Sequence, residues 1–238
     1  MRRGGQTQYV LTSQYCTGGS LDALLGTSVG ISPARVIGWG ESLLEAVDAM
    51  HSKMGRLHLD IKPENIFLND QGQIKLGDVG ISQRYIMGGH DETLPVTQSY
   101  DTCQNFVAPE QLCPNTTCAS AVDCSHGAGA SAATDKWQVG LVLLQLLSRR
   151  SIDQLITLIS SGNRTVPTTP MENLTSLNRR NFEVTLARLC PGLDADLKAL
   201  LLDLLERDPS KRPKDKDALA RIRTIRRRWQ HDLSIGIL

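Results

Sequence analysis

The hydrophobic positions near the start of the chain predict one long amphipathic helix. Ser32 and Pro33 suit an N-cap followed by the first position of a helix. Apolar residues then recur at helical spacing: Ile37, Leu44, Val47 and Met50. A stripe of this kind marks the face of a helix that packs against a core. The pattern therefore predicts a helix that begins at Pro33 and ends near His51.

The segments on either side of this helix have the pattern of short strands. The stretch TQYVLTSQYC, residues 7–16, is rich in strand formers, and the turn-forming TGGS and a short apolar helix, LDALLG, follow it. From residue 66, IFLNDQGQIKLGDVG has two short apolar runs separated by Asp-Gln-Gly. This second pattern predicts a β-hairpin.

The second half of the chain is mostly helical in pattern. Residues 82–133 show little periodicity, and loops of that length inside a domain are usually functional or mobile. Helical periodicity then returns in four stretches: 134–149, 151–161, 193–206 and 215–231. The sequence therefore predicts an α+β fold that is mainly α-helical, with its strands in the first half.

Composition narrows the class of protein without naming a function. A chain of 238 residues suits one large domain or two small ones, and a single core is the simpler expectation. With 40% hydrophobic residues and a net charge of +1, the chain has no overall field to attract nucleic acid or lipid. The longest apolar run, VGLVLLQLL, is well short of the roughly 18 residues of a membrane span. We therefore expect no nucleic-acid and no membrane partner.

The amino terminus and the cysteines bear on the cellular compartment. MRRGGQTQYV has no apolar stretch of the length of a secretory signal, so a cytoplasmic or nuclear protein is expected. Six cysteines in a chain of this length form no dense disulfide framework, so free thiols are expected. The sequence does not indicate the oligomeric state.

A short polar loop holds the strongest candidates for chemistry. HLDIKPENIFL places Asp60, Lys62 and Asn65 within six positions, and Asp78 follows the predicted hairpin. A phosphoryl group in transit needs a carboxylate to orient the attacking hydroxyl, a cation for the spreading charge and oxygen ligands for Mg²⁺. These four residues could supply all of them. Each one alone is more commonly a turn former or a cap, so only the combination favours phosphoryl transfer.

Five motifs carry a resemblance to a known family. HLDIKPEN, GDVG, VAPEQL, TDKWQVG and RDPSKRP follow one another across most of the chain. In this order they resemble the C-terminal lobe of a eukaryotic protein kinase. The resemblance implies such a lobe over residues 21–231, with an activation segment at about 78–110 and an insert at about 111–133. It also implies the last strand of an N-terminal lobe and the hinge at 1–20, and a tail at 232–238.

The resemblance implies a role for each residue of the polar loop. Asp60 corresponds to the catalytic base, Lys62 to the cation at the transferred phosphate, and Asn65 and Asp78 to the Mg²⁺ ligands, with ATP as the donor. A lysine two positions after the aspartate resembles serine/threonine kinases, so the expected acceptor is Ser or Thr of a protein substrate. His58 would brace the loop.

The resemblance also implies an adenine site at the hinge. Ser13 falls at the gatekeeper position, backbone groups of Gln14 and Cys16 would face the adenine, and Phe67 would lie beneath it. A plain edge strand and a core aromatic residue remain the alternative interpretation of these four positions.

Three further residues correspond to structural positions of the family. Glu110 would form a buried ion pair with Arg212, and Asp135 would anchor the catalytic loop from the central helix. Breaking a buried ion pair on one side is costly. These residues are therefore expected to support the fold rather than to touch a substrate.

Three positions depart from the family's pattern. Leu59 replaces the arginine that commonly binds a phosphate on the activation segment, Val79 replaces a phenylalanine, and Cys103 falls near a usual threonine. Activation by phosphorylation of that segment is therefore not expected. The HLD form is similar to the Wee/Myt branch, which retains activity, so altered regulation is expected rather than lost chemistry.

Few residues precede the expected hinge. Only twelve residues lie before Ser13, so the N-terminal lobe with its glycine-rich loop and strand lysine is expected to be essentially absent from the printed sequence. We favour a kinase whose first residues are missing, because an exposed edge strand and an uncovered apolar floor promote aggregation. The alternative is a pseudokinase or regulatory half-domain that acts as a protein-binding module.

Two clusters allow both a functional and an ordinary interpretation. The expected insert holds Cys113, Cys118, Cys124 and His126, but their spacing matches no paired Cys-x-x-Cys site. An insert with free thiols is therefore favoured over a zinc site. RIRTIRRRWQH gathers five arginines, which suit the solvated end of a helix better than a localisation signal or a patch for an acidic partner.

Overall fold

The computed structural model describes residues 12–27, 30–84, 94–95, 104–111, 129–160 and 179–234. The helices in these ranges are α1 (Leu21–Leu25), α2 (Pro33–Met54), α3 (Ala132–Ser148), α4 (Ile152–Ser160), α5 (Arg179–Leu189), α6 (Ala195–Leu204) and α7 (Asp215–Ser234). The strands are β1 (Arg56–Leu57), β2 (Ile66–Leu68), β3 (Ile74–Leu76), β4 (Gln83–Arg84), β5 (Leu94–Pro95) and β6 (Gly129–Ala130). The expectation of a mainly helical fold with small sheets is confirmed. None of the described helices is both long and apolar enough to cross a bilayer.

The ends of α2 are set by local sequence. Ser32 Oγ accepts a hydrogen bond from a backbone N–H three residues on (3.3 Å), and Pro33 occupies the first turn. The helix ends where Gly55 adopts a left-handed conformation with φ 58°. The predicted start is confirmed. The predicted end near His51 is wrong, because no residue before Gly55 breaks the helix.

The buried centre of the described fold is α3. Its side chains from Thr134 to Leu146 are all buried, and α2 packs against both α3 and α7. Gly40 on α2 permits this approach, because a Cβ there would lie 2.7 Å from Ile222 Cδ1 and 2.9 Å from Leu143 Cδ2. The main core therefore joins the first long helix to the last.

The described strands pair in three two-stranded antiparallel sheets. In the predicted hairpin, β2 pairs with β3, with Ile66 opposite Leu76 and Leu68 opposite Ile74. β1 pairs with β4, and β5 with β6. The strands β4, β5 and β6 lie in the stretch without periodicity, because strands of two residues are too short to produce an alternating pattern.

The remaining element predictions were partly right. The four helices predicted beyond residue 133 are confirmed as α3, α4, α6 and α7. No strand is assigned to residues 12–16, because the described residues offer no neighbouring strand for it to pair with, and residues 1–11 lie outside the described ranges. α5 was not predicted, because its sequence is mostly polar and only Phe182 and Leu186 are buried.

The arginines of α7 form ion pairs with other helices. The pairs are Arg223–Glu45 at 2.5 Å, Arg226–Glu41 at 2.7 Å and Arg228–Asp194 at 2.5 Å. The acidic partners belong to α2 and to the N-cap of α6. These arginines are partly exposed, as expected, but they also tie α7 to its two neighbours.

Candidate active site

The loop between β1 and β2 is anchored by α3. The buried side chain of Asp135 accepts hydrogen bonds from the backbone N–H of His58 (2.8 Å, Oδ2) and of Leu59 (2.8 Å, Oδ1). Leu59 has a φ of 67°, a left-handed conformation that costs an ordinary residue about 1–2 kcal/mol. The two hydrogen bonds offset this cost. The anchoring role predicted for Asp135 is confirmed.

Within this loop, Asp60, Lys62 and Asn65 are in direct contact. Lys62 Nζ lies 3.0 Å from Oδ1 and 2.9 Å from Oδ2 of Asp60. Asn65 Nδ2 donates to Asp60 Oδ2 at 2.8 Å and to the Asp60 backbone carbonyl at 2.9 Å. Pro63 begins the single 3₁₀ turn that returns Asn65 to the aspartate. The carboxylate is therefore held by two residues of its own loop.

His58 connects this loop to the end of the hairpin. Its Nε2 lies 3.0 Å from the carbonyl oxygen of Gly77, and its Nδ1 accepts from the backbone N–H of Asp60 at 3.3 Å. These partners require the neutral tautomer with its proton on Nε2, because a proton on Nδ1 would face the Asp60 N–H. Since Gly77 precedes Asp78, the ring links the two segments that carry the acidic residues. The bracing role predicted for His58 is confirmed.

The oxygen atoms of Asn65 and Asp78 suit a magnesium ion. Asp78 is exposed, has a φ of 57°, and accepts only the Gly80 N–H (3.3 Å) within the described ranges. Asn65 commits its Nδ2 to Asp60, and no described residue donates to its Oδ1. Mg²⁺ is commonly held by one or two carboxylates together with substrate phosphates and water, so this donor set fits it. The described residues contain no group of three or more His, Cys, Asp or Glu side chains that could hold a metal ion.

The expected hinge lies against β2 through backbone contacts. The N–H of Gly18 donates to the Leu68 carbonyl at 2.9 Å, and the Leu68 N–H donates to the Gly19 carbonyl at 2.8 Å. A Cβ at Gly18 would lie only 2.7 Å from Leu68 Cβ, so a larger residue would push the two segments apart. The sequence pattern TGGS therefore has a structural reason beyond its turn.

The four residues predicted at the adenine site are less closely assembled than the residues of the β1–β2 loop. Ser13 and Gln14 are exposed, and Cys16 is half-buried with its Sγ 3.8 Å from the Gln14 carbonyl oxygen. Phe67 is half-buried, and its ring lies against Gly77. Within the described ranges, no side-chain hydrogen bond joins the three hinge residues to β2. Their predicted roles toward adenine stay predictions.

Glu110 and Arg212 form the predicted buried ion pair. The guanidinium nitrogens lie 2.7 Å and 2.8 Å from the two carboxylate oxygens, and the side chains are 4% and 0% exposed, respectively. Thr134 Oγ1 also donates to Glu110 at 2.9 Å, and Arg212 donates to backbone carbonyls of Ala133 and Glu206. Both charges are therefore fully hydrogen-bonded, which a buried pair requires.

The family model of the protein kinase domain matches residues 4–222. The chain belongs to the protein kinase family. Relatives of this kinase-family chain include CBL-interacting serine/threonine-protein kinase 8 of Arabidopsis thaliana, which is 32% identical over 145 residues, or 60% of the chain and 28% of the relative. CBL-interacting protein kinase 8 of Oryza sativa subsp. japonica is 31% identical over 135 residues, or 57% and 26%.

A third relative is Mitogen-activated protein kinase kinase 9 of Arabidopsis thaliana, which is 29% identical over 140 residues, or 56% of the chain and 38% of the relative. The kinase-family chain therefore spans 26–38% of the length of these three relatives. The similarity to the Wee/Myt branch stays a prediction, as do the domain boundaries.

Leu59, at the position of the usual kinase arginine, lies in a small apolar cluster. Leu57, Leu59 and Ala130 are fully buried, and Ile81 and Ala132 pack against them. An arginine side chain would need hydrogen-bond acceptors in this space, which apolar side chains cannot supply. In this kinase-family chain, hydrophobic contacts thus join the β1–β2 loop to the segment after the hairpin.

The other departures from the kinase pattern are only partly visible. Val79, in place of the usual phenylalanine, is 41% exposed. Cys103 and the insert residues Cys113, Cys118, Cys124 and His126 lie outside the described residues. The structure therefore does not test the prediction that Cys103 replaces a threonine. It also does not test whether the insert residues are free thiols or bind zinc.

A charged cluster behind the β1–β2 loop was missed by sequence reasoning. His51 Nε2 lies 2.7 Å from Asp135, its Nδ1 lies 2.9 Å from Asp215, and Lys136 Nζ lies 3.0 Å from Asp215. Burial alone would lower the pKa of His51, but its hydrogen bonds to the two aspartates raise that pKa to about 9. Burial would raise the pKa of Asp215, but its contacts with His51 and Lys136 hold that pKa below the ordinary value. His51 is therefore an imidazolium at neutral pH.

This cluster predicts that fold stability falls between pH 6.5 and 9. The pKa of His51 rises from 6.5 to about 9 on folding, so in this interval the folded state keeps a proton that the unfolded state has released. The stabilisation is complete below pH 6.5 and is lost as the pH rises through 9, a loss of about 3 kcal/mol. Urea denaturation across this interval measures it. His51→Gln should flatten the profile, and an unchanged slope in that variant would contradict the assignment.

Proposed function

We propose that this chain forms the helical part of a serine/threonine protein kinase catalytic domain, which transfers the γ-phosphate of ATP to Ser or Thr of protein substrates. The observation that carries this proposal is the contact of Asp60 with both Lys62 and Asn65. Membership of the kinase family supports the reaction class. The lysine two positions after Asp60, and a relative described as a serine/threonine-protein kinase, support the acceptor.

In this proposal the loop residues divide the work of phosphoryl transfer. Asp60 accepts the proton of the acceptor hydroxyl and orients its oxygen for attack. Lys62 places its ammonium beside that carboxylate and stabilises the negative charge on the transferred phosphate. Asn65 and Asp78 would hold Mg²⁺, which supplies positive charge at the phosphates when bound. Asn65 also keeps Asp60 in orientation through its amide nitrogen.

The adenine would bind between the hinge and β2. Backbone groups of Gln14 and Cys16 would form its hydrogen bonds, Ser13 would act as gatekeeper, and Phe67 would lie against its face. The close contact of Gly18 with Leu68 supports this proposal, because it sets the hinge directly beside β2.

A second candidate function is a protein-binding module of the pseudokinase type. Two observations favour it: Leu59 occupies the position of the phosphate-binding arginine with an apolar environment, and Val79 is 41% exposed. A module of this kind would keep the helical core and the Glu110–Arg212 pair while binding nucleotide weakly or not at all. Nucleotide binding therefore separates the two candidates.

ATP with Mg²⁺ is expected to protect the kinase domain against thermal unfolding once a complete N-terminal lobe is present. A ligand that binds only the folded state stabilises it. At ten times its Kd the gain is about 1.4 kcal/mol, or about 3 to 6 °C in Tm for a domain of this size. Scanning calorimetry along an ATP titration measures the shift, and chelation of Mg²⁺ with EDTA should remove most of it.

Two variants test whether Asp78 is responsible for the metal dependence. Asp78→Asn should lose the magnesium-dependent part of the shift. Asp70→Asn makes the same change at an exposed residue in the turn between β2 and β3. This variant should keep the magnesium-dependent part of the shift. Equal shifts in both variants contradict the metal-ligand assignment. No shift in the unsubstituted domain with a complete N-terminal lobe favours the binding module.

A further inference from the structure

Gln138 lies one turn after Asp135 on α3 and reaches the same loop. The residue is 0% exposed. Its Oε1 accepts a hydrogen bond from the Ile61 N–H at 2.9 Å, and its Nε2 donates to the Leu59 carbonyl at 3.0 Å. These two backbone groups stand immediately before and after Asp60. The phosphoryl-transfer roles proposed above make no use of Gln138.

Asp135 and Gln138 hold the backbone on opposite sides of the aspartate. Residues three apart lie on the same face of a helix, so both side chains meet the loop from α3. Asp135 binds the N–H groups of His58 and Leu59, before the aspartate. Gln138 binds the N–H of Ile61, the residue after Asp60. A buried backbone group without a partner is strongly disfavoured, so these contacts select one backbone path around Asp60.

The same side-chain amide also contacts a third segment. Its Nε2 lies 3.4 Å from the carbonyl of Phe106, a buried residue in the 3₁₀ turn Gln104–Phe106. The chain after this turn is fixed by Gln111, whose Oε1 accepts from the Ala108 N–H at 2.8 Å. One amide group therefore joins the backbone around the aspartate to the segment that leads to Glu110.

We propose that Gln138 is a positioning residue for Asp60, which orients the carboxylate by fixing the backbone on both sides of it. The inference rests on the proposed kinase function. An amide suits these contacts because one end must accept from Ile61 while the other donates to two carbonyl oxygens. The direction of the Asp60 side chain follows from its own backbone, so a shift of these groups moves the carboxylate away from the acceptor hydroxyl.

Substitution of Gln138 by glutamate tests the donor end of its amide separately from the acceptor end. Gln138→Glu keeps the shape and can still accept from Ile61, but its ionised form sets a negative oxygen against the carbonyls of Leu59 and Phe106. Burial and those oxygens raise the pKa of the introduced carboxyl, and its neutral form can donate to a carbonyl. The variant should therefore recover as the pH falls. Gln138→Met has a similar shape and no such donor, so it should not recover at any pH.

The experiment compares the full 238-residue chain with Gln138→Glu and Gln138→Met. The matched controls are Gln145→Glu and Gln145→Met, because Gln145 is buried on the same helix and its amide contacts only the Leu141 carbonyl (3.4 Å) within the described ranges. Hydrogen exchange of the Ile61 amide, followed by NMR, reports the loop without requiring catalysis. Initial rates of transfer from ATP to a Ser/Thr peptide give kcat and KM at about pH 6 and about pH 8.5, on either side of neutrality.

We expect Gln138→Met to speed exchange of the Ile61 amide at least about tenfold and to lower kcat by a similar factor, with KM for ATP unchanged. Gln138→Glu should show both losses at the higher pH and recover at the lower, relative to the unsubstituted chain at each pH. The Gln145 variants should show neither. Equal Ile61 exchange in both sets of variants, or a Gln138→Glu deficit independent of pH, overturns the proposal. If the unsubstituted chain transfers no phosphate, the exchange of the Ile61 amide alone decides whether Gln138 holds the loop. The proposed function fails only if transfer is also absent once a complete N-terminal lobe is present.

Discussion

Asp60→Asn is expected to lower kcat for phosphoryl transfer by about 10²- to 10⁴-fold, the range typical of a lost general base. The substituted amide has nearly the same shape, but it cannot take the proton of the acceptor hydroxyl. It also removes the negative charge that lies 2.9 Å from the Lys62 ammonium. Initial rates of phosphate transfer to a protein or peptide substrate measure the effect.

The same variant should leave nucleotide binding largely intact, because Asn65 and Asp78 are unchanged. Protection by ATP and Mg²⁺ in thermal unfolding should therefore persist in Asp60→Asn while transfer is lost. Asp70→Asn, the exposed control in the hairpin, should affect neither measurement. A variant at Asp60 with the full transfer rate would show that another residue activates the acceptor.

Glu110→Ala is expected to lower the free energy of unfolding by about 3–5 kcal/mol. The substitution removes both carboxylate acceptors of the Arg212 guanidinium, whose side chain is 0% exposed. The charge then stays buried with only backbone carbonyls and the Trp137 ring beside it. Thr134 Oγ1 loses its acceptor as well. Urea denaturation at constant pH, read as a change in midpoint at constant slope, gives the loss.

Two comparisons distinguish a buried charge from an ordinary lost contact. Glu183→Ala breaks a pair with Lys198 of similar length, 2.9 Å, but both side chains are partly exposed, so stability should change little. Replacing both Glu110 and Arg212 by Met should cost less than Glu110→Ala alone, because no charge then remains buried. A loss of the same size in Glu110→Ala and Glu183→Ala would argue against the buried-pair explanation.

The elements that could be predicted from the sequence are those whose signals are local. The start of α2 follows from Ser32 and Pro33, and the hairpin follows from two apolar runs around a turn. Asp60, Lys62 and Asn65 were found together because they fall within one short loop. The Glu110–Arg212 pair and the role of Asp135 came from the family resemblance, since no periodicity relates residues 102 apart.

The residues that were missed act across long sequence separations. His51 meets Asp215 across 164 residues, and Gln138 meets Ile61 across 77. A buried polar residue within an apolar helix does not reveal which distant group it binds, because packing alone decides this. α5 was missed because only two of its residues, Phe182 and Leu186, are buried, which is too few to produce a visible apolar stripe in its sequence.

The packing of α2 against α7 determines when the core can close during synthesis. Gly40 touches Ile222, and Glu41 pairs with Arg223, a residue 182 positions later. At the usual rate of translation, roughly 10 to 40 s separate the synthesis of these two partners. Until then the apolar face of α2 lacks the helix that covers it and is open to contact with other nascent chains. A polypeptide released before residue 222 therefore cannot complete this core, however well its earlier helices form.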